Sequence, residues 1–388
     1  MKGTPLRRTT FALAALAALP LALAGCTEKS SSDGGSESGS GDIAVAATDT
    51  TCDVATSEGT TGNSTFQITN NGTKVTEFYV YGEGDRVMGE VENIGPGLTR
   101  QLIVALPDPG TYQTACKAGM VGDGIRADFV VSGDAVRQAD ENGLLDEAAT
   151  GYKRYVVSQV DALQETTASF VAAVKSGDIE AAKAQFPVTR SYYERIEPVA
   201  EAFPDDLDPR IDLREPDVEP GDTWTGFHRI EKDLWEQGLQ PDTNQMADQL
   251  QADVAELAEK VKAEDFTIDP IQVAGGAQGL LDEVAKTKIS GEEDFFSHTD
   301  LWDFQANVDG SQAAVAAVRP IIDQNDAELG SAIDARFAEL DAELAEYRQG
   351  DGFVFYDTVT EPQRQELSNK IDALSAEVSQ VQGVVAGQ

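Results

Sequence analysis

The chain has 388 residues, 41% of them apolar, enough for two or three domains with buried cores, which excludes a wholly disordered polypeptide. Its 29 basic against 68 acidic side chains give a net charge of −39, a field that repels nucleic acid and anionic lipid headgroups and favours metal cations or basic protein surfaces. With only two histidines (His228, His298) and three cysteines (Cys26, Cys52, Cys116), a site of several imidazoles or a thiolate cluster is ruled out, so carboxylates must do most of the chemistry.

At the N-terminus, Lys2, Arg7 and Arg8 precede an apolar run from Phe11 to Ala24, the pattern of an export signal over residues 1–25 rather than of a spanning helix. Leu23, Ala24, Gly25 and Cys26 resemble the lipobox of bacterial lipoproteins. The resemblance implies that Cys26 is acylated, becomes the N-terminus and anchors the protein on the extracytoplasmic face of the cell membrane, each lipid methylene contributing about 0.8 kcal/mol. Cleavage there removes three basic residues and no acidic one, so the processed chain carries 26 basic against 68 acidic side chains. Residues 26–42, with TEKSSSDGGSESGSGD from Thr27, contain no aromatic or large aliphatic side chain to offset chain entropy and read as a flexible tether.

Residues 43–133 change to short β-rich runs: FQITN (66–70), TEFYVYG (76–82), RQLIVALP (100–107), TYQTACK (111–117) and ADFVVSG (127–133). Asn70-Asn71-Gly72, Gly95-Pro96-Gly97 and Pro109-Gly110 punctuate them, and the pattern predicts an antiparallel all-β sandwich. PGTYQTACKAGM (109–120), a strand ending in a cysteine with a methionine four residues on, resembles the cupredoxin fold. A blue-copper site needs two histidines beside that pair, and this segment has none, so the resemblance implies the fold without its usual centre. Cys52 and Cys116 have two readings: a disulfide, which an oxidising compartment favours, or a metal-facing thiolate at Cys116. Glu77, Glu90 and Glu92, on neighbouring strands, read as a solvated strand face, or as a second metal site with a free Cys116.

Residues 141–388 are rich in Ala, Glu and Leu with a 3.6-residue period. Tyr155 to Lys175 puts Val156, Val160, Leu163, Thr167, Phe170 and Val174 on one stripe, and Asn244–Lys262 and Glu328–Arg348 read likewise. Helix ends are predicted at Ser176-Gly177-Asp178, at Phe186-Pro187, through a proline-rich loop from Phe203 to Pro220, and at Gly238 to Asp242. An all-α domain of this length must form more than one layer, so two stacked four-helix bundles are expected.

Within GFHRIEKDLW (226–235), His228 and Glu231 stand at i and i+3, which on a helix puts them on one face with Cβ atoms roughly 5–6 Å apart, close enough to hold one cation. The runs SYYERIEPVAEAFPDDLDPRIDLRE (191–215), TGFHRIEKDLWEQGLQPDT (225–243), KISGEEDFFSHTDLWDFQANVDGSQ (288–312) and IDARF (333–337) resemble the helical domain of the EfeO family, imelysin-like lipoproteins of bacterial iron uptake that often carry an N-terminal cupredoxin-like domain. The resemblance implies a non-enzymatic carrier that captures iron, as Fe2+ or Fe3+, outside the membrane. Its implied partners are an EfeU-like iron permease and an EfeB-like dye-decolorising haem peroxidase, and its implied metal motif is the pair His228 and Glu231. Asp248, Glu197 and Glu293 are further candidate ligands, whereas His298 reads as a capping or structural histidine.

A metallopeptidase is the alternative, because imelysin-like proteins have been classed with peptidases. The chain has no HExxH, and its two histidines are seventy positions apart, which weighs against a zinc peptidase. An acidic polysaccharide would be repelled by the charge. By affinity order copper or zinc would displace ferrous iron, so selectivity must come from geometry or supply.

Overall fold

The protein is described by a computed structural model covering residues 42–119, 122–136, 140, 142–203, 207–218, 221 and 223–387. The export signal, Cys26 and all of the tether before Asp42 lie outside the described residues. No described helix is long and apolar enough to cross a membrane.

Among the described residues, the N-terminal region is a two-sheet sandwich of nine strands: β1 (Ile43–Ala47), β2 (Cys52–Val54), β3 (Glu58–Thr60), β4 (Gly62–Asn70), β5 (Thr76–Tyr81), β6 (Val87–Ile94), β7 (Thr99–Leu106), β8 (Gly110–Ala118) and β9 (Ile125–Ser132). One sheet has the order β2-β1-β4-β7 and the other β3-β9-β8-β5-β6. The expected wholly antiparallel arrangement is corrected at two places, since β1 runs parallel to β4 and β3 parallel to β9. The early strands cross from one sheet to the other and pair with strands distant in sequence, and turn residues, which report local hairpins, carry no trace of such pairings. Phe66 packs against Phe78 and Phe129 between the sheets, with centroids 5.3 and 5.5 Å apart.

Cys52 and Cys116 form a disulfide with a Cα–Cα distance of 5.5 Å, tying β2 of one sheet to β8 of the other across 64 residues. A cross-link over a loop of that length removes about 4 kcal/mol of chain entropy from the unfolded state. Replacing both cysteines with serine should therefore lower the urea midpoint followed by far-UV circular dichroism; an unchanged midpoint would mean the bond contributes nothing to stability.

The helical region comprises α1 (Leu144–Ser176), α2 (Ile179–Glu194), α3 (Glu197–Glu201), α4 (Leu207–Asp212), α5 (Gly226–Lys232), α6 (Thr243–Lys262), α7 (Pro270–Lys286), α8 (Asp300–Asn325), α9 (Ala327–Ala345), a hairpin of β10 (Arg348–Gln349) and β11 (Gly352–Phe353), α10 (Glu361–Val378) and α11 (Val381–Val385). All six stripe residues of α1 are buried. The helix stops where Gly177 takes φ +75°, and Asp178 then caps α2 by accepting from the Ala181 N–H at 3.2 Å. α1 packs against α2, α6 and α8, and α8 in turn against α7 and α9, with α10 closing on α7 and α9. α8 is thus the helix common to both groups of contacts.

Two expected helix boundaries are corrected. α2 runs through Pro187 to Glu194, because Phe186 and Pro187 are buried in the core, which offsets one lost backbone hydrogen bond, and the next turns carry Arg190 and Glu194 into a buried ion pair. The stretch expected as loop from Phe203 to Pro220 contains α4, which delivers a site residue.

The sandwich rests on the bundle through β6 and β7 against α7. Gln272 donates to the carbonyls of Val87 and Met88 at 3.2 and 2.5 Å, Arg86 to that of Thr267 at 2.9 Å, and Asn63 to that of Ala386 at 3.1 Å.

Candidate metal centre

Gly226 opens α5 with φ +85°, and a Cβ there would stand 2.2 Å from the Ile211 carbonyl oxygen. Only glycine lets the start of α5 press against the end of α4. The junction is pinned by Thr225, which donates to the Arg210 carbonyl at 2.9 Å, and by the Trp224 indole, which donates to that of Leu213 at 2.6 Å. The result brings His228 Nε2 within 3.7 Å of Asp212 Oδ1. Beyond Lys232 the helix widens into a π turn over Asp233–Gln237. Gly226→Ala should cost about 1–3 kcal/mol in backbone strain alone, before the clash with Ile211. Urea unfolding checks it, and wild-type stability in the variant would refute the close-approach argument.

On the first turns of α5, His228 Nδ1 lies 3.1 Å from Glu231 Oε2, while Glu231 Oε1 accepts from the backbone N–H groups of Phe296 and Ser297 at 3.0 and 2.7 Å. The segment between α7 and α8 supplies two more acids: Glu293 Oε1 is 3.6 Å from His228 Nε2, and Asp294 Oδ1 is 3.9 Å from His228 Nδ1. Two ligand sets follow, Asp212/His228/Glu293 and His228/Glu231/Asp294, each with donor atoms within 4.8 Å of one another and every residue buried. Buried His228 Nε2 finds no hydrogen bond among the described residues.

Arg190, fully buried, ion-pairs with Glu194 and Asp212, and reaches Glu293 Oε1 at 2.8 Å, Asp294 Oδ1 at 3.4 Å and Asp303 Oδ2 at 3.5 Å. Lys288, equally buried, lies 3.1 Å from Glu194 Oε2 and 3.8 Å from Glu293 Oε1. The buried carboxyl groups of Glu194, Asp212, Glu231, Glu293, Asp294, Asp300 and Asp303 outnumber Arg190, Lys288 and His228. The proton affinities of Asp212 and Asp300 record that imbalance. Burial pushes Asp212 up to about 7 despite Arg190 and His228, and burial together with Asp294 pushes Asp300 up to about 8. Burial and Arg190 oppose the charged form of His228, but Asp212, Glu231 and Glu293 raise it to about 10. Burial would also raise Glu293, yet Lys288, His228, Arg214 and Arg190 hold it well below the usual carboxylate range. An oxygen-rich pocket with one imidazole and uncompensated carboxyls has the donor set of a hard or borderline cation site.

The structure brings together His228, Glu231 and Glu293 from the sequence reading. Glu197 stands one step outside, 3.7 Å from Lys288 Nζ. Asp248 is corrected: it lies on the exposed face of α6, paired with Lys175, and faces none of these groups. His298, at φ +59°, works through its backbone, its N–H donating to the Asp294 carbonyl and its carbonyl accepting from Tyr356, both at 2.8 Å. Sequence reasoning missed Asp212, Asp294 and Arg190. The two acids fall within the runs that carry the family resemblance, so those runs were the signal that could have found them.

The second site is corrected in its sulfur ligand, because Cys116 is spent in the disulfide and offers no thiolate. Glu77, Glu90 and Glu92 are not a solvated face either. Glu77 is buried, and Glu90 and Glu92 line a cavity of about 400 Å³ between sandwich and bundle, opposite Glu201 and Glu283. Burial pushes Glu77 up to about 7 and Glu90 up to about 8, and Tyr79 Oη donates to Glu92 Oε1 at 2.9 Å.

A β-sandwich seated on a helical bundle that buries one histidine among carboxylates is the class that fold and cluster define. The family description "Peptidase_M75: Imelysin" matches residues 148–381, and "Cupredoxin-like domain" matches residues 13–131. The "Iron uptake system component EfeO" of Escherichia coli O157:H7 is 41% identical over 349 residues, covering 88% of this chain and 91% of that one, and the protein of the same name from Shigella flexneri matches to the same extent. A crystal structure of dithionite-reduced auracyanin from Roseiflexus castenholzii aligns with a TM-score of 0.20 at 17% identity, over 24% of this chain and 97% of its own. The chain belongs to the imelysin family and, within it, to the EfeO group.

Proposed function

We infer that the protein is an iron-capturing component of an uptake system, binding its cargo at the His228 cluster and passing it to a membrane permease. The observation that carries the reading is His228 Nε2, buried and 3.6–3.7 Å from two carboxylates in a pocket with more acids than cations. Iron is the cargo named for relatives 41% identical over nearly the whole chain. Capture is coordination alone, with the acidic surface concentrating cations and ligand exchange at the permease releasing them. In this reading Cys26 anchors the protein by lipid on the extracytoplasmic face, and a dye-decolorising haem peroxidase is the third component. A peptidase would need a coordination position reachable by a peptide, whereas His228 is 1% exposed.

Calorimetric titration of the metal-stripped protein with Fe(II), Fe(III)-citrate, Cu(II) and Zn(II) tests the reading. Tight binding of iron supports it, and no iron binding under any of these conditions sinks it. Asp248→Ala serves as a control and should leave the affinity unchanged, since that carboxylate pairs with Lys175 on the surface.

A further inference from the structure

The three carboxylate oxygens outside Glu231 that lie nearest His228 are all within reach of Arg190, which also pairs with Glu194 and Asp303. Asp212 Oδ1 is 3.7 Å from His228 Nε2 and is paired with an Arg190 Nη. Glu293 Oε1 is 3.6 Å from His228 Nε2 and 2.8 Å from Arg190 Nη2. Asp294 Oδ1 is 3.9 Å from His228 Nδ1 and 3.4 Å from Arg190 Nε. An ion coordinated by either ligand set therefore shares at least one of its carboxylates with a guanidinium. Arg190 has nowhere to retreat: it is fully buried, with the rings of Phe186 and Phe227 centred 5.9 and 5.8 Å from its Cζ. A guanidinium keeps its charge at any working pH.

We propose that Arg190 is a built-in stand-in cation, a positioning residue that holds the carboxylates of the site together when it is empty and keeps the affinity for cargo low enough for release. The inference rests on the reading of the His228 cluster as the cargo site. Without a cation the acids from α4, the α7–α8 segment and α8 would repel one another, and Arg190 supplies the counter-charge that prevents it. Once an ion arrives, the fixed positive charge beside its ligand oxygens opposes it, which speeds dissociation, the step that a carrier needs for handover.

A merely structural arginine and a stand-in cation give opposite signs on removal. In the full-length protein, Arg190→Met should lower the melting temperature of the metal-free form and at the same time bind Fe(III)-citrate about tenfold or more tightly, with slower release. Arg190→Lys, which keeps the charge, should return the affinity toward wild type. Equal or weaker iron binding by Arg190→Met, with the wild type binding, overturns the inference alone, whereas no binding by the wild type overturns both it and the carrier reading. Should Arg190→Met fail to fold, wild-type protein labelled with 15N-arginine and titrated with diamagnetic Ga(III)-citrate decides the matter, the Arg190 Nε–H resonance being assigned by its loss in Arg190→Lys. A stoichiometric shift of that resonance supports a shared carboxylate, and an unmoved one overturns it.

Discussion

His228→Ala is expected to weaken iron binding by about 100-fold or more, beyond what loss of an outer-shell partner costs. The imidazole is the one nitrogen donor in the cluster, and both of its nitrogens face carboxylates, Nδ1 toward Glu231 and Nε2 toward Asp212 and Glu293. Glu231→Gln is a gentler change. It keeps the oxygen that accepts from Phe296 and Ser297, and so the local fold, but removes the charge beside Nδ1, with an expected loss of about tenfold. Calorimetry on both variants, with Glu90→Gln/Glu92→Gln as a parallel, locates the principal site. If the interdomain double variant lost iron while His228→Ala retained it, the cargo would sit between sandwich and bundle instead.

What could be read from the sequence follows from where each signal lives. His228 and Glu231 were legible because one helical turn carries both, so spacing alone sets their geometry. Asp212 and Asp294 come from other elements and meet the histidine only through the Gly226 contact and the fold of the segment before α8, which no local pattern encodes. Asp248 was misassigned because position along the chain past the Gly238–Asp242 turn says nothing of which face of α6 it occupies. Glu77, Glu90 and Glu92 looked solvated because alternation separates the two faces of a strand without revealing that a second domain covers the polar one. Pro187 read as a helix end on backbone grounds, and burial of Phe186 and Pro187 in the core overrode it. The strand runs and the α1 stripe were legible because burial imposes their period directly.

The metal-free protein should be less stable at pH 8 than at pH 5.5, and iron should narrow the difference. Asp212 and Glu77 are pushed up to about 7, and Asp300 and Glu90 to about 8, from ordinary values of 3.8 or 4.5. Between about pH 4.5 and 8 the folded chain keeps protons that the unfolded chain has released, so stability falls as pH rises, with a slope of about 1.4 kcal/mol per pH unit for each proton of difference. His228, raised from 6.5 to about 10, acts in the same direction: its contribution is complete below its unfolded value and is lost as pH climbs through the folded one. Glu293 has the opposite sign, but its depressed value confines its effect to pH below the ordinary 4.5, outside the window. Scanning calorimetry at the two pH values, with and without Fe(III)-citrate, checks both halves of the expectation. Bound iron takes the place of the proton on Asp212, so the gain in melting temperature should be larger at pH 8, where fewer protons compete for it. A metal-free melting temperature that held level or rose between pH 5.5 and 8 would show that the buried acids of the cluster and of the interdomain cavity are neutralised by their own arginines and lysines, leaving no electrostatic reason for the site to take up an ion.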